Sequence, residues 1–276
     1  MKSLQDKGNS FAVLHEQSAA FIIANAWDAG SARILAESGF SAIATTSAGF
    51  AFSLGKQDNN VGRDAILANA ADIVAATSLP VSADLENGFG DSPDTAAETI
   101  RMAAKVGLVG GSIEDSTYDA RRPLYEIAHA ADRIRAAAEA AHAQSFRFVL
   151  TARAENYLVG QPDLTDVIRR LQAYQEAGAD VLYAPGLTKE DDIRTVVRSV
   201  DRPVNVVMGL GGVTFDVASL SAMGVRRISV GSALARRAYG ALRDAAREMR
   251  EHGSFDYARD AASYGELNSL FGREIL

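Results

Sequence analysis

The sequence contains no cysteine and only four histidines, which are His15, His129, His142 and His252. The absence of cysteine excludes disulfide bonds, thiolate metal sites and cysteine nucleophiles. The histidines are scattered along the chain, so a zinc or iron site built from histidine is not expected. Metal binding or acid–base chemistry in this chain is therefore expected to depend on carboxylates.

Long basic runs and long apolar runs are also missing. The net charge is −7 and the sequence pI is about 5.2, which argues against nucleic acid or an anionic membrane as a partner. No apolar run approaches the length of a membrane span, and residues 1–16 lack the apolar core of a signal peptide. With 47% hydrophobic and 23% charged residues, the composition is ordinary for a globular protein, and a cytoplasmic location is expected.

Short β-rich runs alternate with longer helical patterns from one end of the chain to the other. Such alternation predicts parallel strands joined by helical crossovers. Helical character is clearest over 63–77, 123–144 and 234–252. The eight predicted strands are 21–28, 42–48, 80–86, 108–115, 146–155, 180–186, 203–208 and 227–232.

A weak internal repeat supports this organisation. Four times a helical pattern ends in glycine and leads directly into a strand. Glycine commonly takes the left-handed conformation that closes a helix. The four glycines are Gly39, Gly107, Gly178 and Gly224.

Eight strand–helix units in about 250 residues is the count for a (β/α)8, or TIM-type, barrel. No linker or low-complexity segment divides the chain, so residues 1–276 are predicted to form one α/β barrel domain. Residues 254–276 are predicted to be one more helix, packed outside the barrel or on another subunit. The alternative is a doubly wound open sheet, but no GxGxxG motif follows the first strand to support it.

The third predicted strand leads into two acids and a glycine-rich turn, in the sequence PVSADLENGFG over residues 80–90. Residues two apart on a strand point to the same side, so Asp84 and Glu86 are predicted to share one face. Two acids beside a flexible turn are typical of an active-site floor. The alternative is that both are exposed loop acids.

Barrel enzymes carry their catalytic groups at the C-terminal ends of the strands and on the loops that follow. Four carboxylates converging there would raise one another's pKa values, and a divalent cation would relieve the repulsion. Oxygen ligands with room for water suit Mg2+ or Mn2+. The candidate residues at these positions are Trp27, Ser47, Ala48, Gly49, Asp58, Asp84, Glu86, Glu114, Arg153 and Asn205.

Arg153 follows the fifth strand and could bind a substrate carboxylate through its planar guanidinium. The alternative is an internal ion pair with Glu155 or Glu114. Glycine-rich segments at 209–215 and 229–237 follow the last two strands, where many barrels bind phosphate, so a phosphate-bearing substrate stays open. The polar segment 116–126 after the fourth strand is predicted to be a lid or an ordinary surface loop.

Taken together, several segments resemble the compact branch of the isocitrate lyase/phosphoenolpyruvate mutase superfamily. They are NAWDAGSARILAESGF, ATTSAGFAFSLGKQD, VSADLENGFG, GGSIEDST, TARAENYL and RRISVGSALAR. The resemblance implies an α/β barrel, a dimer or more usually a homotetramer, that uses Mg2+ to hold an α-oxo acid or its enolate.

The resemblance also implies roles for individual residues. Asp84 would be the direct metal ligand, and Asp58, Glu86 and Glu114 would support the metal largely through waters. Backbone and hydroxyl donors would hold the substrate's carboxylate and oxo group, and Arg153 would bind its carboxylate or stabilise the leaving group. The residues that carry those donors are Ser47, Ala48 and Gly49.

One departure from the family bears on the reaction. Isocitrate and methylisocitrate lyases carry a loop with a catalytic cysteine, whereas this chain has STYDARRPLYE over 116–126. Lyase chemistry would need another proton donor, such as Tyr118 or water, and decarboxylation makes the smallest demand. We therefore expect a Mg2+-dependent carbon–carbon lyase that acts through a metal-bound pyruvate enolate. The expected substrate is a small 2-oxo or 2-hydroxy di- or tricarboxylate of the oxaloacetate or methylisocitrate type. The alternative is phosphorus–carbon chemistry, as in phosphoenolpyruvate mutase or phosphonopyruvate hydrolase, although 116–126 lacks the loop asparagine of those members.

Overall fold

Eight parallel strands close into a barrel in the computed structural model, which describes residues 2–211 and 214–274. Each strand pairs with the next along the chain, and the eighth pairs with the first to complete the ring. The predicted (β/α)8 fold is thus confirmed. The strands are β1 (Phe21–Ala26), β2 (Ile43–Thr45), β3 (Val81–Asp84), β4 (Gly110–Glu114), β5 (Val149–Arg153), β6 (Val181–Tyr183), β7 (Val204–Val207) and β8 (Arg227–Ser229).

The helices surround this barrel and are rich in buried alanine and branched apolar residues. Their apolar faces pack on the outward-facing side chains of the strands, as expected for crossover helices. The α-helices are α1 (Leu4–Glu16), α2 (Ala29–Glu37), α3 (Ser47–Ser53), α4 (Arg63–Ala75), α5 (Pro93–Lys105), α6 (Ile127–His142), α7 (Leu164–Glu176), α8 (Glu190–Arg198), α9 (Val217–Ala222), α10 (Ala233–His252) and α11 (Tyr264–Gly272).

The helix ends follow the local sequence signals. All four predicted closing glycines have left-handed backbone angles, with φ between 84° at Gly39 and 104° at Gly178. At the start of α5, the Ser92 side chain accepts a hydrogen bond from the Thr95 amide, and Pro93 occupies the first turn. The glycine repeat therefore marks where each helix returns the chain to the barrel.

Helix α1 and the second strand differ from the sequence expectations. Helix α1 precedes the first strand and packs its Phe11 and His15 side chains against Phe21, at the N-terminal end of the barrel. The second predicted strand ends earlier than expected, because Thr46 caps helix α3 and the helix already begins at Ser47. The strand interpretation of residues 47 and 48 was wrong, and both lie in the first turn of α3.

The predicted C-terminal tail contains a short 3-10 helix, Asp256–Asp260, followed by α11 rather than one continuous helix. Arg33 of α2 donates hydrogen bonds to the carbonyls of Phe271 at 2.8 Å and Leu270 at 3.3 Å, so α11 lies against α2. Residues 275 and 276 of the tail, and 212 and 213 of the glycine-rich segment, lie outside the described residues. Within the described ranges, no helix combines the length and apolar character required to cross a bilayer.

Candidate active site

A polar cavity opens at the C-terminal ends of the strands and has a volume of about 660 Å³. Most of the predicted site residues line it, because each lies at a strand end or on the loop that follows. Those lining the cavity are Ser47, Ala48, Asp58, Asp84, Glu114, Arg153 and Asn205. Those lying outside its lining are Trp27, Gly49 and Glu86.

Arg153, the last residue of β5, binds three carboxylates at once. Its Nη1 donates to Oδ1 of Asp84 and its Nε donates to Oε1 of Glu155, and its Nη2 forms an ion pair with Oε2 of Glu114, each at 2.9 Å. The guanidinium also lies over the Tyr183 ring, 5.4 Å from its centroid. The internal ion pair that the sequence offered as an alternative is therefore present, and all three guanidinium nitrogens are engaged by protein carboxylates.

Asp84 also connects the guanidinium to helix α3. Its Oδ2 accepts hydrogen bonds from the Ser47 hydroxyl at 2.8 Å and from the Ser47 amide at 3.3 Å. The Ser47 hydroxyl lies 3.4 Å from Oδ1 of Asp58 as well. Loss of solvent around its carboxyl, together with the charge of Asp84, raises the pKa of Asp58. Two acids and one hydroxyl thus meet at one point of the cavity wall.

Glu86 lies beside Asp58 and Asp84, but the alternation of side chains along a strand does not place it there. Strand β3 ends at Asp84, and Glu86 has a left-handed φ of 51°, so the two acids do not share a strand face. The Glu86 side chain is buried, and its Oε1 has no hydrogen-bond partner within the described residues. Burial and the charges of Asp84 and Asp58 raise the pKa of Glu86 to about 8.

Arg133 holds the turn that places Glu86. This fully buried side chain of α6 donates to the carbonyls of Asn87, of Gly90 at 2.9 Å and of Glu114 at 3.2 Å. Its guanidinium stacks on the Tyr125 ring, 4.4 Å from the centroid. This role could not be predicted from sequence, because Arg133 lies in a helical pattern far from any strand end.

Tyr118, on the loop between β4 and α6, contacts Glu114 and the turn that contains Glu86 and Asn87. Its hydroxyl donates to Oε1 of Glu114 at 2.9 Å and accepts from the Asn87 amide at 3.2 Å. Tyr118 has a left-handed φ of 60°, a strained conformation for a bulky residue. Burial, and then the charge of Glu114, raises the pKa of its phenol, so the hydroxyl stays protonated and available as a donor. Burial likewise raises the pKa of Glu114, against the opposing effect of Arg153.

Three of the predicted substrate contacts, Trp27, Gly49 and Asn205, have protein neighbours. Gly49 packs behind the cavity, where an added Cβ would lie 2.7 Å from Thr46 Cγ2 and 3.0 Å from Trp27 Cβ. The positions of Gly49 and Trp27 are thus part of the close packing between α3 and the strand ends. Asn205 lies at the floor of the cavity, where its Nδ2 donates to Ser229 and its Oδ1 accepts from Arg227.

The carboxylates of the site offer the oxygen ligands that a divalent cation prefers, but they are not arranged around a single metal position. Among residues 2–211 and 214–274, no group of three Asp, Glu or His side chains is arranged to hold a metal ion. Arg153 lies between Asp84, Glu114 and Glu155 and neutralises part of their charge. Burial, and then the charge of nearby acids, raises the pKa values of Asp58 and Glu86, and Oε1 of Glu86 is unpartnered among the described residues. A hard cation close to these acids would favour their charged forms.

Residues 11–250 match the family model for phosphoenolpyruvate phosphomutase. Among solved structures, a Burkholderia cenocepacia J2315 protein with a provisional lyase/mutase description is 55% identical, with a TM-score of 0.97 over 99% of this chain and 98% of that one. The 2-methylisocitrate lyase of Escherichia coli K12 is 31% identical over 73% of this chain and 70% of its own. The oxaloacetate decarboxylase of Chromohalobacter salexigens is 27% identical over 90% and 87% respectively.

Proposed function

The chain belongs to the phosphoenolpyruvate phosphomutase family, within the isocitrate lyase/phosphoenolpyruvate mutase superfamily of lyases and mutases, and from that premise we propose that it is a carbon–carbon lyase. Its substrate is a small 2-oxo or 2-hydroxy di- or tricarboxylate of the oxaloacetate or methylisocitrate type. Decarboxylation of oxaloacetate breaks its C3–C4 bond, releases carbon dioxide and leaves the electron pair as a pyruvate enolate. Retro-aldol cleavage of a 2-hydroxy acid instead removes the hydroxyl proton, forms pyruvate from the hydroxyl-bearing carbon and leaves the electron pair as the enolate of the departing carboxylate. Oxaloacetate decarboxylation is the first candidate, and retro-aldol cleavage of a methylisocitrate or dimethylmalate type is the second.

The observation that carries this proposal is the meeting of Ser47, Asp84 and Arg153 at the mouth of the barrel. An enolate oxygen needs positive charge and hydrogen-bond donors placed before the bond breaks. The Arg153 guanidinium supplies the positive charge and keeps a second N–H on each of Nη1 and Nη2 beyond its carboxylate contacts. The Ser47 hydroxyl holds Asp84 in place, and the cavity could enclose a small dicarboxylate. The carboxylates around Arg153 fix its orientation, so that it needs no rearrangement during the reaction.

We propose Mg2+, with Mn2+ as a substitute, as the cofactor. Asp84 would hold it, with Asp58, Glu86 and Glu114 in support. When bound, the cation would act as a Lewis acid that polarises the oxo group of the substrate. These are the acids with hard oxygen donors that border the cavity or, in the case of Glu86, lie unpartnered beside it.

The proton that quenches the enolate has to come from a residue other than cysteine. Tyr118 is our candidate for this donor, because its hydroxyl lies at the cavity and is held by Glu114 and by the Asn87 amide. A positioned donor of this kind typically contributes about 100- to 10,000-fold to a proton-transfer step. Decarboxylation demands the least of it, since carbon dioxide departs without a proton.

The family match leaves phosphorus–carbon chemistry as a second candidate, since the family model describes a phosphomutase. Hydrolysis of phosphonopyruvate would transfer the phosphoryl group to water, which releases phosphate and leaves the pyruvate enolate. A mutase would instead transfer the phosphoryl group to the enolate oxygen and form phosphoenolpyruvate. Two residues of the glycine-rich segment that could bind a phosphate, 212 and 213, lie outside the described part of the chain. Phosphate release is therefore the measurement that separates the two candidates.

The test is pyruvate formation from oxaloacetate, methylisocitrate, dimethylmalate and phosphonopyruvate, each with Mg2+ and with EDTA. Metal-dependent pyruvate from one of the carbon substrates is the expected result and identifies the leaving group. Pyruvate with stoichiometric phosphate from phosphonopyruvate alone would favour the second candidate. Absence of turnover with all four substrates would overturn both.

We also propose that the chain forms a homo-oligomer, a dimer or a tetramer. Several apolar side chains of α10 and the C-terminal segment are exposed in the single chain, including Leu242 at 63%, Phe255 at 65% and Tyr264 at 83%. Exposed apolar residues that cluster on one region commonly mark an interface between subunits. Light scattering coupled to size-exclusion chromatography tests this, and a mass of 29.2 kDa would contradict it.

A further inference from the structure

Arg227 is a buried cation inside the barrel whose hydrogen-bond partners are all neutral. It is the first residue of β8 and is 5% exposed. Its Nε donates to Asn205 Oδ1 at 2.9 Å, its Nη2 donates to Thr151 Oγ1 at 3.0 Å, and its Nη1 lies 3.5 Å from His15 Nε2. These neighbours orient the guanidinium without balancing its charge.

The neighbouring histidine is held in its neutral form. The Nδ1 of His15 lies 2.9 Å from the Phe11 carbonyl, which requires a proton on Nδ1 and leaves the lone pair on Nε2 toward Arg227. Burial, and then the charge of Arg227, lowers the pKa of His15 to about 3. His15 therefore brings no second charge and acts as an acceptor for the arginine.

Arg227 contrasts with Arg153 in its electrostatic surroundings. Arg153 contacts three carboxylates, whereas Arg227 forms no ion pair with any residue that the structure describes. Burial lowers the pKa of Arg227 to about 10, with only Tyr183 opposing the shift, so the side chain is still charged at neutral pH. A buried charge without a counter-charge is costly unless it is compensated by a ligand or strong hydrogen bonds.

The cavity reaches this cation. Arg227 is part of its lining, together with the small side chains Ser82 and Ser112, which leave the barrel interior open below the strand ends. Thr151, which accepts a hydrogen bond from Arg227, precedes Arg153 by two positions on β5. Two residues along a strand span about 7 Å, so Thr151 lies about 7 Å below Arg153 in the barrel. A molecule with two carboxylates could therefore place one of them beside Arg153 at the strand ends and the other beside Arg227 in the barrel interior.

We propose that Arg227 is a specificity-determining residue that binds the second carboxylate of the substrate, at the floor of the cavity. This inference rests on the proposed function for its substrate class, a small di- or tricarboxylate. It assigns the discrimination between di- and monocarboxylates to Arg227, whose charge has no carboxylate partner among the described residues, rather than to Arg153, whose charge is offset by three protein carboxylates. Asn205 and Thr151 are then positioning residues that hold the guanidinium in place.

The test is equilibrium binding of succinate and butyrate, which have the same carbon chain but two carboxylates and one. Isothermal titration calorimetry of the full chain with Mg2+ is expected to show succinate binding at least about 10-fold more tightly than butyrate, because a charge-assisted hydrogen bond is gained. Arg227→Met should abolish this preference and leave butyrate binding unchanged. Equal binding of the two acids by the wild-type protein would overturn the proposal whatever the variants do.

The matched control is Arg226→Met, which removes the neighbouring arginine. Arg226 points out of the barrel and donates to the Ser18 carbonyl at 3.0 Å, so this variant should keep the full succinate preference. Retention of the preference by Arg227→Met would also contradict the assignment. If Arg227→Met does not fold, a crystal structure of the wild-type protein with succinate decides: a carboxylate on the Arg227 guanidinium supports the proposal, and succinate bound elsewhere overturns it.

Binding and turnover separate this inference from the proposed function. A protein that prefers succinate through Arg227 but produces no pyruvate from any of the four substrates would retain the carboxylate site and lose the lyase assignment. A protein that cleaves oxaloacetate with kcat/KM unchanged in Arg227→Met would retain the lyase assignment and lose the role of Arg227.

Discussion

The Nη1 atom of Arg153 donates a hydrogen bond to Oδ1 of Asp84 over 2.9 Å, from the end of β5 to the end of β3. The other oxygen of the same carboxylate accepts the Ser47 hydroxyl at 2.8 Å. Asp84 therefore joins the arginine on one side of the cavity to helix α3 on the other. A change at Asp84 should therefore disturb both Ser47 and Arg153. A change at Arg153 should leave the carboxylates of Asp84, Glu114 and Glu155 without this partner.

Replacement of Asp84 with alanine should abolish Mg2+-dependent activity while the barrel stays folded. Asp84 is our proposed metal ligand and the acceptor for Ser47 and Arg153, so kcat/KM should fall at least about 100-fold. Its carboxylate is partly exposed at the cavity, at 22% of its side-chain surface, so the fold should tolerate its loss. The measurement is pyruvate formation against Mg2+ concentration, with circular dichroism for the fold.

The matched control for this change is Asp64→Ala, since the Asp64 side chain is 93% exposed on α4. That variant should retain wild-type kcat/KM. Wild-type turnover by Asp84→Ala would remove Asp84 from the metal site.

Replacement of Arg153 with lysine should reduce both activity and stability. An ammonium group can approach one carboxylate closely but cannot reproduce the planar fork that contacts three of them. Breaking a buried ion pair typically costs about 3–5 kcal/mol, because a charged partner is left uncompensated. Urea denaturation should show a lower midpoint, and kcat/KM should fall by at least about 10-fold.

Arg101→Lys is the control for this substitution, because Arg101 pairs with Glu98 on the solvent side of α5, where both side chains are about half exposed. Its stability should change by less than about 1 kcal/mol. If Arg153→Lys kept wild-type kcat/KM, Arg153 would be structural and would take no part in the reaction.

The barrel could be predicted from sequence because its signals are local. Closing glycines such as Gly107 and Gly178 precede the strands directly, and they adopt the left-handed angles that the pattern requires. The strand boundaries were less predictable, since Thr46 acts as a helix cap at a position that also fits a strand. Helix α1 was missed because it precedes the first strand–helix unit and belongs to no repeat.

The convergence of the candidate site residues was predictable from sequence, but the contacts among them were not. Strand ends converge in any such barrel, so Asp84, Glu114 and Arg153 could be expected at one mouth. Sequence could not show that Arg153 would contact three carboxylates, because those distances depend on the closure of the barrel. Arg227 was missed although a signal was available: a charged residue at the start of a buried strand is unusual and indicates a special environment.

The raised pKa of Glu86 predicts a stability that falls as the pH rises. The pKa of Glu86 is about 8 in the folded state, whereas the pKa of a free glutamate is 4.5. Between these two values the folded state binds more protons than the unfolded state, so each increase in pH favours unfolding. In EDTA, the free energy of unfolding from urea titrations should be lower at pH 8 than at pH 5.

The comparison that isolates this residue is Glu86→Gln, which removes the titrating group and keeps the size of the side chain. Relative to wild type, the variant should gain stability on going from pH 5 to pH 8, on the order of a few kcal/mol. Other carboxyls with raised pKa values, such as Asp58 and Glu114, contribute equally to both proteins and cancel. The same pH dependence in both proteins would show that the Glu86 carboxyl is ionised in the folded state throughout.

Replacement of Tyr118 with phenylalanine should slow the chemical step without weakening substrate binding. The change removes the hydroxyl that donates to Glu114 and accepts from the Asn87 amide, and keeps the ring. If this hydroxyl delivers the proton to the enolate, kcat should fall at least about 100-fold while KM stays near its wild-type value. Tyr264→Phe, at a position that is 83% exposed, is the matched control and should have no effect. An unchanged kcat for Tyr118→Phe would show that the enolate takes its proton from elsewhere, and would leave Tyr118 as a residue that only orients Glu114.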